Sequence, residues 1–207
     1  TGILWFGWFG FNAGSGLAAD GLAAQALVNT HLAASTGMLG WLLVERWKGG
    51  NATVLGACSG AVAGLVAVTP CAGFVGGASP LIIGFSAGAL CFLALQIKER
   101  MNWDDSLDVI AVHLIGGIVG TLLLGLFADA AVNPAIAEDS SEGLFFGGSF
   151  ELLKDQFVAA LVVGVFSFVV TYALAKTIDA TMGLRVGEDA EYQGLDQSQH
   201  AESAYTG

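Results

Sequence analysis

Residues 107–128 of this chain read LDVIAVHLIGGIVGTLLLGLFA. Asp108 and His113 are the two ionisable side chains of this stretch, and its other positions are apolar, glycine or threonine. A transmembrane helix needs about 20 predominantly apolar residues. The stretch therefore predicts a helix that crosses a lipid bilayer.

Four further runs have a similar length and composition, and a shorter run opens the chain. They cover residues 22–44, 52–70, 80–97, 157–178 and 2–13. None of them alternates between apolar and polar residues, as the strands of a membrane barrel do. Charged residues make up 12% of the 207 positions, about half the fraction found in soluble domains. The chain is predicted to be an all-α membrane protein, a polytopic bundle of transmembrane helices.

Hydropathy and charge together predict two parts and an orientation. We expect a transmembrane region over residues 1–180, with about six helices of which the first is truncated, and a polar tail over residues 181–207. If successive helices alternate in direction, all basic residues except Lys154 fall on one side of the bilayer. Because basic residues collect on the cytoplasmic face, we predict a multi-pass plasma-membrane protein with a cytoplasmic C-terminus and an outer, acidic 129–155 connection.

The sequence shows none of the patterns typical of enzymes, nucleotide-binding loops or metal sites. Cys58, Cys71 and Cys91 have no CxxC spacing, and we predict small buried thiols rather than ligands or disulfides. The net charge is −11, and without a basic patch nucleic acid is an unsuitable partner. We expect no enzymatic activity, no cofactor and no bound metal.

Glycines recur at four-residue spacing in three of the runs. Such spacing places small residues on one face of a helix, so that neighbouring backbones approach closely. We therefore predict tight helix packing at these positions, which are Gly56, Gly60, Gly64, Gly84, Gly88, Gly116 and Gly120.

The opening run places two aromatic rings and a hydroxyl on one helical face. Trp8, Phe11 and Ser15 are spaced i, i+3 and i+7, which is one side of an α-helix. Aromatic faces attract cations and a hydroxyl accepts a hydrogen bond, so these residues are candidates to line a conduit. Simple packing or anchoring at the membrane interface is the alternative. We expect Asn12 to satisfy backbone groups between close helices.

His113 is the second candidate, because an ionisable side chain within an apolar membrane helix is costly and usually functional. A structural histidine that bridges two helices is the alternative. An α-helix would place Val109, His113, Gly116 and Gly120 on one stripe and rotate Asp108 roughly 140° away from His113. We therefore expect Asp108 to be structural and to bond a donor of another helix near the cytoplasmic end.

These residues resemble the Amt/Mep branch of the ammonium transporter family, from its sixth helix onward, which is the second half of an inverted-repeat fold. The resemblance covers nearly the whole chain in order. The matching elements are Leu4–Asn12, Leu55–Gly60, Val68–Pro70, Asp108–Gly120, Gly183–Val186 and Gly194–Asp196, followed by His200, Glu202 and Tyr205.

The resemblance implies transport of ammonium or ammonia through a narrow hydrophobic pore. The pore of this family has an outer recruitment site, an aromatic gate and two stacked histidines. Ser15 matches the recruitment-site serine and Phe11 one of the two gate phenylalanines. His113 matches the second histidine, and Trp8 matches the tryptophan that lines the pore beside it.

The resemblance also implies an assembly and its regulation. Members of the family form trimers with one pore in each subunit. Their tail packs on the cytoplasmic face and takes part in regulation by PII signal proteins. The corresponding tail residues here, to which we assign a structural or regulatory role, are Gly183, Arg185, Gly194 and Asp196.

Two further readings compete with transport. The same fold serves as an ammonium sensor that signals through its tail, although the chain ends at Gly207 without an appended signalling domain. The first five helices of the family are also missing from these 207 residues, and with them the other pore histidine and gate phenylalanine. A non-conducting fragment is therefore the third reading.

Overall fold

The chain folds into helices in the computed structural model, which describes residues 1–203; Tyr205 lies outside the described residues. The longer helices are α1 Gly2–Gly14, α2 Gly21–Gly49, α3 Val54–Val68, α4 Ser79–Arg100, α5 Gly116–Phe127 and α7 Phe150–Thr181. A π-helix, Ile110–Ile115, leads directly into α5. The short elements are α6 Ala135–Asp139, a 3₁₀ turn at Leu144–Phe146, α8 Glu188–Gln193 and α9 Leu195–His200.

Among residues 1–203, four helices are long and apolar enough to cross a bilayer. They are Gly21–Gly49, Ser79–Arg100, Ile110–Phe127 and Phe150–Thr181. Each contains or closely matches one of the apolar runs recognised in the sequence. These four predicted membrane helices are confirmed in length and composition.

The fifth apolar run forms a shorter helix than its length suggested. Residues 52–70 were expected to come close to a full span, but α3 contains 15 residues and ends at Val68. Helices usually end at or before the residue preceding a proline, and here that proline is Pro70. The chain then continues through turns to the start of α4.

The predicted outer connection at 129–155 is partly helical, which corrects the expectation of a loop. It contains α6 and the 3₁₀ turn, and α7 already begins at Phe150. The Ser149 hydroxyl accepts a hydrogen bond from the Glu151 backbone N–H at 3.2 Å, which supports the first turn. Hydropathy detects an uninterrupted apolar run, and Lys154, Asp155 and Gln156 in the second turn of α7 interrupt that run, so the start of the helix was missed.

Side-chain caps fix the beginnings of α2 and α3. The Asp20 carboxylate accepts a hydrogen bond from the backbone N–H of Ala23 at 2.9 Å, and the Thr53 hydroxyl accepts one from Gly56 at 2.8 Å. Such caps satisfy N–H groups that have no partner inside the helix. Thr53 also donates its hydroxyl to Glu45 at 2.8 Å, which closes the connection from α2 to α3.

Glycines bring the backbones of α2, α3 and α4 into contact, as the spacing predicted. A methyl group added at Gly64 of α3, or at Gly84 of α4, would lie 2.1 Å from the carbonyl oxygen of Ala33. A methyl group at Gly88 would lie 2.0 Å from the carbonyl oxygen of Gly37. Side chains larger than hydrogen therefore do not fit at these crossings.

The remaining predicted glycines differ in how tightly they are packed. A methyl group at Gly120 of α5 would lie 2.0 Å from the Ala67 carbonyl oxygen. At Gly116 the nearest atom is the Val66 Cγ1, at 3.3 Å, which a small movement relieves. The Gly120 position is therefore the point at which α5 and α3 touch through their backbones.

The chain divides into two compact units, Thr1–Ala160 and the part from Leu161 onward. The first unit has a core of small apolar side chains around Trp41, whose ring packs edge-on against Phe92 at 5.7 Å between centroids. Cys71 and Cys91 are buried in this unit, as the sequence predicted, whereas Cys58 is half-buried. The second unit consists of the remainder of α7 with the short helices α8 and α9.

Candidate functional site

The predicted aromatic face of α1 is formed by side chains in mutual contact. The rings of Trp8 and Phe11 lie 6.2 Å apart at an interplanar angle of 67°. The Ser15 hydroxyl donates a hydrogen bond to the Phe11 carbonyl oxygen at 2.6 Å. Because a hydroxyl has one proton to donate and two lone pairs to accept with, the Ser15 oxygen is left with acceptor capacity only.

Phe11 and Ser15 open into a cavity of about 210 Å³. Its walls come from α1, from the start of α2, from the turns after α3 and from the 129–134 segment. The lining combines aromatic rings with a few oxygen atoms. The residues that supply these groups are Phe11, Asn12, Ser15, Thr69, Phe74 and Asn133.

Trp8 is held at one edge of this region by a hydrogen bond. Its indole N–H donates to the Thr69 hydroxyl at 2.8 Å, and Thr69 in turn donates to the Leu65 carbonyl at 2.7 Å. Trp8 also packs against the hydrophobic cluster that contains Val112. The tryptophan ring is thereby fixed between α1, the end of α3 and the helix of His113.

Asn12 connects α1 to α2 through a hydrogen bond between two side chains. Its amide donates to the Thr30 hydroxyl of α2 at 3.0 Å, and both residues are buried. We expected Asn12 to satisfy backbone groups, and the structure corrects this. The Thr30 hydroxyl itself donates a hydrogen bond to the Ala26 backbone carbonyl at 2.6 Å.

His113 lies on the π-helix at an exposed position, next to the buried Val112. Among residues 1–203, its imidazole makes no hydrogen bond and no ring contact, so the structure does not join it to Trp8, Phe11 or Ser15 by direct contact. Trp8 nevertheless belongs to the packing around Val112. The α1 face and the His113 helix are therefore neighbours.

The π-helix also splits the stripe expected along this helix. Val109 and His113 are exposed, whereas Gly116 and Gly120 are buried against α3. The expectation of one continuous face assumed α-helical geometry, and the wider π-turn of Ile110–Ile115 shifts the register between the two pairs. Such π-turns occur frequently at functional sites.

Asp108 pairs with a donor of another helix, the arrangement expected from the sequence. Lys98, in the last turn of α4, contacts the Asp108 carboxylate at 2.5 Å. The backbone of Asp108 has a φ of 57°, an uncommon conformation for a residue with a side chain. The residue joins the end of α4 to the start of the His113 helix.

Residues 1–205 match the sequence profile of the Ammonium Transporter Family. The chain belongs to this family. Membership makes it a multi-pass membrane protein of a transporter family rather than of an enzyme family.

Similar proteins support the family assignment over the whole of the chain. An ammonium transporter of Mycobacterium tuberculosis is 50% identical over 205 residues, which are 98% of this chain and 43% of that protein. The crystal structure of Saccharomyces cerevisiae Mep2 superposes with a TM-score of 0.83 at 35% identity, covering 94% of this chain and 44% of Mep2. A structure described as a sensor Amt protein superposes with a TM-score of 0.83 at 28% identity, over 95% of this chain and 46% of that one.

The all-α membrane bundle predicted from the sequence is confirmed by these structural matches. The chain spans about half the length of the proteins it resembles.

The tail residues of this family member have defined local roles. Arg185 forms a two-pronged ion pair with Glu191, at 2.7 and 3.1 Å. Gly183 and Gly194 have φ values of 81° and 97°, a region that favours glycine. Gly183 closes the end of α7, and Gly194 together with Asp196 lies at the junction of α8 and α9. A regulatory role of these residues stays a prediction.

Asn29 is a buried residue that the sequence analysis missed; it does not line the cavity itself but holds the wall residue Ala72. Its buried amide donates to the carbonyls of Ala72 and Val75, at 2.9 and 2.6 Å. These bonds hold the turns that carry Phe74 into the cavity. An asparagine inside an apolar helix is itself a signal, because such a polar group has to find a partner.

Proposed function

We propose that this chain forms part of a pathway that carries ammonium or ammonia across the membrane, with Ser15 and Phe11 at its outer end. The observation that carries the proposal is the orientation of the Ser15 hydroxyl. Since its proton is used by the Phe11 carbonyl, the oxygen is restricted to accepting. Ammonium is a donor-only cation, and an acceptor oxygen next to an aromatic ring suits it.

The cavity chemistry supports a recruitment step. An ammonium ion that enters the cavity exchanges water for the Ser15 oxygen and for the aromatic face of Phe11, whose ring contacts Trp8. Beyond this point the surroundings are apolar, where carrying a full charge costs far more free energy than carrying a neutral molecule. We therefore infer that the proton and ammonia separate, and that ammonia travels on past Val109 and His113.

His113 is assigned the inner part of this pathway. A neutral imidazole both donates and accepts one hydrogen bond, so it suits a small neutral solute such as ammonia. The family resemblance and the position of His113 within an apolar helix support this role.

The test is ammonium flux into proteoliposomes that contain the full-length protein. The decisive variant is His113→Ala, and His31→Ala is its matched control, because His31 is also exposed but packs against Trp5 and Phe9. We expect a strong loss of flux for His113→Ala and wild-type flux for His31→Ala. Absence of flux in the intact protein would remove the transport proposal, and unchanged flux in His113→Ala would remove His113 from the pathway.

We further propose the assembly and orientation that the resemblance implies. The tail and the 45–52 and 98–105 connections face the cytoplasm, the complete protein forms a trimer, and a PII signal protein binds at the cytoplasmic face. The excess of basic residues on that side supports the orientation. Labelling of single cysteines placed at 48 and at 140 with a membrane-impermeant reagent tests it, since only the second is expected to react from outside.

An ammonium sensor is the second candidate, and the structural similarity to the sensor Amt protein favours it. A sensor binds ammonium without needing to pass it. Binding without flux in the proteoliposome experiment would support the sensor, whereas flux that saturates with ammonium supports the transporter.

A further inference from the structure

The end of α4 and the start of the His113 helix are tied together by one lysine. The Lys98 ammonium group donates to the Asp108 carboxylate at 2.5 Å and to the Asp105 backbone carbonyl at 2.7 Å. The side chains of Lys98 and Asp108 are 12% and 25% exposed. Solvent and salt therefore screen this pair less than they screen an ion pair on an open surface.

Asp105 holds the other side of the same junction. Its two carboxylate oxygens accept hydrogen bonds from the backbone N–H groups of Val109 and Ile110, at 2.9 and 2.8 Å. The hydrogen bond from Ile110 contributes most to lowering the pKa of the Asp105 carboxyl, and the hydrogen bond from Val109 contributes less. Asp105 thus caps the first turn of the π-helix as a carboxylate.

Asp108 is fixed through both its side chain and its backbone. Its carbonyl accepts a hydrogen bond from Val112, the residue before His113, at 2.8 Å. Its positive φ of 57° is unfavourable for a residue with a side chain, and such conformations persist where the surroundings enforce them. Lys98 supplies the contact that comes from a different helix.

We propose that Lys98 is a positioning residue for the pore histidine, because its bridge between Asp108 and the Asp105 carbonyl sets the start of the helix that carries His113. This inference rests on the proposed role of His113. Loss of the bridge frees the Asp108 turn, and the π-helical register that follows it changes. The position of the imidazole then changes with it.

The proposal predicts a specific kinetic signature. The outer cavity is lined by residues of α1, α2, the 69–74 turns and the outer connection, and none of its lining residues belongs to the Lys98 junction. Lys98→Met should therefore lower the maximal flux, by up to about a hundredfold if the imidazole moves by about 1 Å. The ammonium concentration that gives half-maximal flux should stay close to the wild-type value.

The experiment compares variants of the full-length protein in proteoliposomes. Lys98→Arg retains the charge and the donors, so we expect it to keep most of the flux. Lys48→Met is the matched control, since Lys48 also lies in the last turn of a helix but rests on the Trp47 ring at 4.9 Å. Asp108→Asn removes the ion pair from the other side while preserving shape, and it should reproduce the defect of Lys98→Met.

Hydrogen exchange of the purified full-length variants measures the positioning directly. Peptides that cover residues 108–115 should exchange faster in Lys98→Met and in Asp108→Asn, and peptides from α3 should not change. If Lys98→Met does not fold, the Asp108→Asn variant carries both measurements.

The outcomes separate this inference from the proposed function. The positioning role is overturned if Lys98→Met has wild-type flux, or if its half-maximal ammonium concentration rises by the same factor as its maximal flux falls. Failure of Lys98→Arg to retain flux overturns it as well. If these variants behave like wild type while His113→Ala abolishes flux, the positioning role fails and the pore role stands. If His113→Ala has wild-type flux, the proposed role of His113 fails first, while the transport proposal still stands on the flux of the intact protein.

Discussion

A methyl group at Gly120 should destabilise the bundle, whereas the same change three residues earlier should not. Both positions lie on α5. A methyl group at Gly120 would lie 2.0 Å from the Ala67 carbonyl oxygen and 2.7 Å from the Ala67 Cα, whereas at Gly117 nothing lies within 4 Å. The two variants Gly120→Ala and Gly117→Ala therefore differ in packing and not in chemistry.

The size of the effect follows from these distances. Cβ atoms do not approach other atoms within 3.0 Å, so α3 and α5 have to separate locally by at least 1.0 Å. The obstructing atoms belong to the backbone and cannot rotate away, so the cost lies near the upper end of the about 1–3 kcal/mol typical of overpacking. Because alanine has a higher helix propensity than glycine, about 1 kcal/mol of this cost is offset. Gly120→Ala should lose about 2 kcal/mol and Gly117→Ala should gain up to about 1 kcal/mol.

Thermal unfolding of the full-length protein in detergent, followed by tryptophan fluorescence, measures the difference. We expect the unfolding midpoint of Gly120→Ala to lie on the order of 5 °C below that of Gly117→Ala. Equal midpoints, or the reverse order, would refute the close approach of α5 to α3 through their backbones.

Three further predictions concern the cavity, the Asn29 anchor and the Lys98–Asp108 junction. Ser15→Ala should raise the ammonium concentration for half-maximal flux by about twofold to tenfold, the effect of one hydrogen bond, as measured in proteoliposomes. Asn29→Leu leaves two buried carbonyls without a donor and should lower the unfolding free energy by roughly 2 kcal/mol or more, as measured by denaturant titration. Asp105→Ala should destabilise the protein at pH 7, and the loss should shrink at pH 3, because a lowered pKa contributes stability above the ordinary value of 3.8 and loses it as the pH falls through the folded value.

Each of these predictions has a control and a contrary outcome. Ser35→Ala changes a hydroxyl that bonds its own helix and should leave the flux unaltered; a matching change there would assign the Ser15 effect to general damage. Asn51→Leu, at an exposed position, should hardly change the free energy of unfolding. If it lowers this free energy as much as Asn29→Leu does, Asn29 has no anchoring role. A destabilisation by Asp105→Ala that is the same at pH 3 and pH 7 would contradict the carboxylate cap.

Sequence patterns predicted those features that many residues determine together. Hydropathy averaged over some 20 residues located the long helices, and the four-residue spacing of Gly84 and Gly88 located their crossings. Single contacts between residues that are distant in the sequence were harder to predict. The spacing of Asp108 and His113 excluded one partner for Asp108, but only the fold identifies Lys98 as the actual one.

The π-helix and the Asn29 anchor were not predicted, for different physical reasons. A π-turn changes the hydrogen-bond pattern without changing the apolar composition of Ile110–Ile115, so hydropathy does not detect it. Asn29 was visible as a polar residue in an apolar helix, but its acceptors are backbone carbonyls of Ala72 and Val75, which carry no signal in the sequence. The start of α7 was missed because Lys154, Asp155 and Gln156 separate its first turn from the long apolar run.

Polar side chains inside the apolar helices fall into two groups, and the division separates structural from functional candidates. Asn12, Asn29 and Thr69 each bond a partner on another segment of the chain, so the free-energy cost of their burial is offset within the fold. His113 lies on an equally apolar helix, yet within residues 1–203 its imidazole has no hydrogen-bond partner. A solute that hydrogen-bonds to the exposed imidazole would offset the cost of placing an ionisable group on an apolar helix. His31 is exposed as well, but its ring packs against Trp5 and Phe9, and this difference is the reason that His113 rather than His31 is proposed for the pathway.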